Sequence, residues 1–171
     1  MKLDLTFPIR TKHTLFPKTN KELYEIIESE IDKNGNDCSL NHIDVSKIHD
    51  MSELFLYSTF NGDISEWDVS SVENMEGMFA YSKFNGDISD WNVLKITDMC
   101  CMFTNSKFNQ NISRWNVDNV VEHKNMFKDC LLENNKVHQP KFNKDISQWQ
   151  LNVICKKVLN HIGMFNGCSI I

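Results

Sequence analysis

Residues 60–69 read Phe-Asn-Gly-Asp-Ile-Ser-Glu-Trp-Asp-Val, and nearly the same letters return at residues 84–93 and 108–117. Each of these copies lies 24 residues beyond the one before. A fourth copy occupies residues 142–151, and a degenerate leading copy can be read back to about residue 36. Self-similarity at a fixed period of this length is typical of repeat proteins, in which each unit buries its apolar side against its neighbours.

The apolar spacing within one copy indicates the fold class. Ile64, Trp67, Val69 and Val72 follow the rhythm of a leucine-rich repeat. The alternation around Trp67 and Val69, with polar residues between them, is typical of a strand. The sequence therefore predicts an α+β repeat solenoid, a leucine-rich-repeat-like stack of about five 24-residue coils with a parallel strand ladder, capped by an N-terminal helix.

A single domain is predicted, with an N-terminal strand and helix cap at residues 1–35 and the repeats at residues 36–171. The coils start near residues 36, 60, 84, 108 and 142. The wider spacing before the fourth copy predicts a loop insertion at about residues 131–141. Apolar residues at every fourth position predict a short helix at about residues 152–162.

The N-terminal helix has its own start signal. Thr19 is followed three residues later by Glu22, which is the form of a capping box. Leu23 and Ile27 then begin an amphipathic pattern, and Gly35 ends it. We expect a helix from about Asn20 to Lys33 that lies over the first coil.

Aromatic residues recur at the same place in each copy, so equivalent rings should lie one above another. Core packing is favoured over a ligand-binding aromatic track, because buried aromatic rings dominate core energetics. The first predicted column is Trp67, Trp91, Trp115 and Trp149, and the second is Phe79, Phe103 and Phe127.

Composition and charge exclude several classes of function. The net charge is −5 and basic residues do not cluster, so no nucleic acid partner is expected. No apolar stretch approaches the roughly 20 residues that span a bilayer. The first residues carry Asp4 where a signal peptide is apolar, so the sequence predicts a cytoplasmic chain.

The cysteines and histidines do not follow the spacing of a metal site, and no metal or other cofactor is predicted. The six cysteines are expected to be free thiols. A disulfide between Cys130 and Cys168 remains an alternative, since both lie three residues after the repeated Phe. No local motif marks a catalytic nucleophile, so an enzyme is not expected.

One polar position in each copy admits two interpretations. It holds Asp63, Asp87, Asn111 and Asp145. Stacked carboxylates favour a cation such as calcium, whereas an Asx turn needs only a backbone N–H two residues further on. The Asx turn is the favoured prediction, with calcium as the alternative.

The predicted partner-binding residues are the polar positions of the strand face, which vary between copies while the core letters stay the same. A polar, mildly acidic face suits a partner that offers Lys or Arg. A face that is merely solvated is the alternative. The predicted binding residues are Glu66, Asp68, Asp90, Asn92, Arg114, Asn116, Gln148 and Gln150.

From about Leu40 to Cys168 the repeated letters resemble the BspA-like leucine-rich-repeat surface proteins, in the branch whose units contain Phe-Asn, Asp-Ile-Ser, Trp and a later Met-x-x-Met-Phe. The resemblance implies a scaffold found on bacterial surfaces, with proposed roles in adhesion. It supplies no catalytic residues.

Together these patterns predict a non-enzymatic protein-interaction module, adhesin-like or intracellular, with an unidentified protein partner. The alternative is a structural subunit that assembles into homo-oligomers through its C-terminal coil. The sequence favours the cytoplasm, whereas the resemblance implies the cell surface or secretion.

Overall fold

The computed structural model describes residues 13–128 of the chain. Several predictions concern residues outside this range: the fourth copy, the loop at 131–141, the helix at 152–162, the Cys130–Cys168 pair and the C-terminal end. Gln148, Gln150, Asp145 and Trp149 also lie outside the described residues. The division of the chain into a cap and a repeat region within one domain stays a prediction.

Helix α1 spans Asn20–Asn34. The Oγ1 atom of Thr19 accepts a hydrogen bond from the backbone N–H of Glu22 at 3.1 Å. At the other end, the N–H of Gly35 donates to the carbonyl of Ile31, and Gly35 has a φ of 84°. Leu23 and Ile27 are fully buried in the core. The predicted helix is therefore confirmed, and it ends one residue later than expected.

The predicted fold class is wrong for the part of the chain that the structure describes. Residues 13–128 contain α1 and no strand, so they show neither a parallel strand ladder nor a solenoid. Parallel pairing is limited to five isolated bridges, such as Asn74 with Asp98. The turns between these bridges replace the predicted strands.

Turns account for the apolar spacing that predicted a strand. The N–H of Trp67 donates to the carbonyl of Ile64 at 3.2 Å, and the N–H of Val72 donates to that of Val69 at 2.9 Å. These bonds join residues three apart, which is the spacing of a β-turn. Apolar residues at both ends of a turn point into the core, so the sequence spacing is the same as in the predicted repeat although the backbone is different.

The second half of each copy combines turns with bonds to the next copy. The N–H groups of Met75, Gly77, Phe79 and Tyr81 each donate to a carbonyl of the following copy, at 2.7–2.9 Å. Of the intervening N–H groups, those of Met78 and Ala80 donate to the carbonyl three residues earlier, whereas that of Glu76 donates to Oδ1 of Asn74. Since alternate donors are used inside the copy, a continuous strand ladder does not form.

Aromatic columns form the centre of the core. The rings of Phe55, Phe79, Phe103 and Phe127 follow one another at centroid distances of 5.5–5.6 Å, with interplanar angles of 8° or less. The rings of Trp67 and Trp91 lie 6.4 Å apart. All of these side chains, with Trp115, are buried. Core packing, the favoured interpretation of both columns, is confirmed for the described members.

The indole groups are also hydrogen-bonded inside the core. The Nε1–H of Trp67 donates to the carbonyl of Leu40 at 3.0 Å, and that of Trp91 donates to the carbonyl of Ile64 at 3.2 Å. Trp115 repeats the arrangement with Ile88 at 3.0 Å. A buried indole N–H without a partner is destabilising, so these bonds make the Trp column compatible with full burial.

Replacement of Phe79 by Ala should test the Phe column. Phe79 is fully buried and its ring lies 4.4 Å from that of Phe84. Loss of a buried Phe side chain leaves a cavity and is expected to lower the free energy of unfolding by about 3–5 kcal/mol. Urea denaturation measures the change. Leu94→Ala, at a side chain 44% exposed, is the control and should change stability by about 0.5 kcal/mol or less; equal losses in the two variants would contradict the assignment.

Candidate binding surfaces

The polar column that admitted two interpretations consists of Asx turns. Oδ1 of Asp63 accepts from the N–H of Ser65 at 3.0 Å, and Oδ1 of Asp87 accepts from that of Ser89 at 2.9 Å. Asn111 makes the same bond. The Asx-turn prediction is confirmed at these three positions. Within residues 13–128, no group of three or more His, Cys, Asp or Glu side chains is placed to hold a metal ion.

The Asx turn also affects the charge state of Asp87. The hydrogen bond from the backbone N–H of Ser89, followed by the bond from its side chain, lowers the pKa of Asp87 below its ordinary value of 3.8. Both bonds favour the ionised carboxyl group. Asn111, two copies beyond Asp63, accepts the equivalent backbone bond without a titratable group.

Asp87→Asn should reduce the acid sensitivity of the protein. Because the pKa of Asp87 is lower in the folded state, its stabilisation is present above the unfolded-state pKa and is lost as the pH falls through the folded-state pKa. Asn keeps the Oδ1 acceptor but does not titrate. Urea denaturation at about pH 5 and about pH 3 should therefore show a smaller loss in the variant than in the wild type. Equal losses would show that Asp87 makes no such contribution.

The predicted binding residues that fall within the described range are all exposed. Glu66, Asp90 and Arg114 lie within β-turns, and Asp68, Asn92 and Asn116 each open an Asx turn. None of the six lies on a strand, so the predicted strand face is wrong. We call this surface the acidic face, and it consists of Glu66, Asp68, Asp90, Asn92, Arg114 and Asn116.

The acidic face has two columns, the first formed by Glu66, Asp90 and Arg114 and the second by Asp68, Asn92 and Asn116. The two columns differ in how their side chains are oriented. In the first, Nη1 of Arg114 lies 3.5 Å from Oδ1 of Asp90, and the two side chains are 78% and 83% exposed. Such an exposed pair contributes about 0–1 kcal/mol to stability. In the second, Oδ1 of Asp68 accepts from the N–H of Ser70 at 3.1 Å. Asn92 and Asn116 accept equivalent bonds two residues ahead. The structure therefore orients the second column by Asx turns, whereas the first depends on side-chain pairing.

A pair of exposed tyrosines forms a second surface that the sequence interpretation missed. The rings of Tyr57 and Tyr81 stack with centroids 4.8 Å apart, and the side chains are 68% and 47% exposed. We call these two residues the tyrosine pair. They lie 24 residues apart, and Asn105 holds the same position in the next copy. The repeat offset was the signal that could have identified them.

Both tyrosines have a positive φ, in the left-handed region that favours glycine and asparagine over bulky side chains. Their φ angles are 57° and 56°, and that of Asn105 is 52°. Each N–H donates to the next copy, at 3.0 Å for Tyr57, 2.7 Å for Tyr81 and 2.8 Å for Asn105. Asn tolerates the left-handed region better than a bulky aromatic residue does. Since Asn105 makes the same backbone bond, the fold does not require an aromatic ring at this position.

A recurring unit of 24 residues, with a shared core and variable exposed positions, defines a repeat protein. The chain matches the family model described as "Mycoplasma protein of unknown function, DUF285" over residues 23–140 and 106–171. The chain therefore belongs to this family, a BspA-like Mycoplasma repeat family. No curated protein and no solved structure matched the chain. In the described part of the chain, no helix has the length and apolar character needed to cross a membrane.

Proposed function

We propose that this chain is a non-enzymatic protein-binding module of a BspA-like surface protein. The observation that carries the proposal is the contrast between core and surface at equivalent positions. Phe55, Phe79 and Phe103 repeat without change in the core, whereas the exposed position of the acidic face changes from Glu66 to Asp90 to Arg114. Variable exposed positions on a shared scaffold are what partner recognition by repeat proteins uses.

The chemistry of the acidic face supports a basic partner. Its carboxylates outnumber its single guanidinium group, so the face has a net negative charge. Because all six side chains are exposed, a partner's Lys or Arg can approach without displacing core residues. Charges of this kind act on the rate of association and on specificity more than on total affinity.

The tyrosine pair supports the same function by a different route. Exposed aromatic side chains are enriched among the residues that contribute most to binding energy at protein interfaces. Tyr57 and Tyr81 are already ordered against each other, so their stacking lowers the conformational entropy lost on binding. We propose that this pair supplies apolar contact area for the partner.

The resemblance supports a cell-surface position, which protease treatment of intact cells tests.

Glu66→Lys with Asp90→Lys should weaken partner binding by reversing two charges of the acidic face. The matched control is Glu28→Lys with Asp32→Lys, which makes the same charge change on exposed positions of α1. Quantitative affinity capture with each variant measures the effect, and added salt should reduce the difference. A partner retained equally by both double variants would contradict a role for the acidic face.

Tyr57→Asn with Tyr81→Asn should separate binding from stability. The copy that follows Tyr81 already has Asn105 at this position, so the free energy of unfolding should stay within about 1 kcal/mol of the wild type as stacking is lost and backbone strain is relieved. Partner capture should fall. A variant that keeps full capture would show that the tyrosine pair is not a contact surface, whatever happens to the acidic face.

A further inference from the structure

Two adjacent cysteines lie where the other copies have no thiol. Sγ of Cys100 and Sγ of Cys101 are 3.7 Å apart, and both side chains are partly buried. The equivalent positions are occupied by Ser52 and Glu53, by Glu76 and Gly77, and by Lys124 and Asn125. The repeat accepts several polar residues here, so the fold does not require the thiol pair.

The peptide group that joins the two cysteines connects three copies of the repeat. Its carbonyl, from Cys100, accepts from the N–H of Gly77 at 2.8 Å, and its N–H, from Cys101, donates to the carbonyl of Lys124 at 2.9 Å. The N–H of Cys100 donates to Oδ1 of Asp98 at 2.8 Å. Cys101 has a φ of 56°, in the left-handed region. A change at this peptide is therefore transmitted to both neighbouring copies.

We propose that Cys100 and Cys101 form a reversible oxidation site, in which a low-molecular-weight disulfide converts the two thiols into a disulfide between adjacent residues. The sulfur atoms are already in contact and must approach to about 2.0 Å for a bond. Adjacent Cα atoms are about 3.8 Å apart, which is below the usual range of roughly 4.4–6.8 Å for disulfides. A disulfide with this geometry is strained and easily reduced, as a reversible site requires.

The reaction proceeds by two thiol–disulfide exchanges. The Cys101 thiolate attacks one sulfur of the reagent R–S–S–R, which breaks that bond, forms Cys101–S–S–R and releases one R–S⁻. Cys100 then loses its proton and attacks Sγ of Cys101, which forms the Cys100–Cys101 bond and releases the second R–S⁻. The two cysteines lose two protons and two electrons, and the reagent leaves as two molecules of R–SH.

The surroundings of Cys100 favour this order of attack. The pKa of Cys100 is raised to about 12, and burial is the largest cause. The hydrogen bond with the Cys101 thiol comes next, followed by the charges of Cys101, Asp98 and Glu76. Cys100 is consequently protonated near neutral pH and is a poor first nucleophile. Its position beside Cys101 suits it to the second, intramolecular step, where proximity compensates for a small thiolate fraction.

Ring closure should also weaken the contacts between copies. A disulfide between adjacent residues rotates the intervening peptide group away from its present orientation. The bonds from Gly77 N–H to Cys100 and from Cys101 N–H to Lys124 then lengthen together. Oxidation is therefore expected to increase amide hydrogen exchange at Gly77 and Cys101.

The test treats the reduced full-length protein with oxidised glutathione, blocks the remaining thiols with iodoacetamide and maps the tryptic peptide of residues 96–107, whose only cysteines are these two. The expected product is this peptide with neither cysteine alkylated and a mass lower by two hydrogens, restored by dithiothreitol. A wild-type peptide with both thiols alkylated, a persistent glutathione adduct, or Cys101 linked to another cysteine would each overturn the proposal.

Two variants taken from the chain's own copies test the order of attack. Cys100→Ser introduces the residue found at Ser52, and Cys101→Asn introduces the one found at Asn125, so both are expected to fold. Cys100→Ser should accumulate a mixed disulfide on Cys101, whereas Cys101→Asn should leave Cys100 largely unmodified. The reverse pattern would contradict Cys101 as the first nucleophile. Unchanged hydrogen exchange at Gly77 after oxidation would contradict the conformational effect.

Discussion

The alternation of backbone hydrogen bonds is the constraint on which the rest of the described structure depends. In each copy, one N–H closes a turn and the next reaches the following copy, as Met78 and Phe79 illustrate. The turn bond joins residues three apart, and the bond to the next copy joins residues 23 apart, which brings each residue close to its equivalent in the next copy. Neither a helix nor a strand satisfies both requirements, because each uses its amide groups in a single repeating pattern.

The aromatic core follows from this constraint. Since the copies within residues 13–128 are bonded to one another at the same points, equivalent side chains meet at nearly constant separations and with nearly parallel rings. The Trp column shows the same regularity between Trp67 and Trp91. A β-branched or smaller residue in place of Phe79 or Phe103 would interrupt contacts in two directions, because each of these rings packs against the copy before and the copy after it. The regular letters of the sequence thus reflect a regular set of ring contacts.

Sequence patterns identified the elements that depend on side chains better than those that depend on the backbone. Helix α1 was predictable because Thr19 and Gly35 mark its ends. The burial of the aromatic columns and the Asx turn of Asp63 were predictable from the repeat and from the chemistry of the side chains. The absence of a strand was not predictable, because apolar residues at both ends of short turns have the same spacing that indicated a strand ladder. The exposure of the acidic face was anticipated, whereas its pairing of Arg114 with Asp90 depends on the distance between copies.

The residues that sequence interpretation missed share one backbone property. Each of the turns opened by Met75 and Phe79 has a left-handed residue in its third position, Gly77 and Tyr81, where a positive φ is typical of a type II turn. Because the turn and the bond to the next copy together determine this conformation, the side chain at the position has little influence on it. Residues with a poor preference for the left-handed region, such as Tyr81 and Cys101, are held there by the surrounding bonds. Non-glycine residues in such conformations concentrate at functional sites, and Tyr57, Tyr81 and Cys101 all occupy these positions.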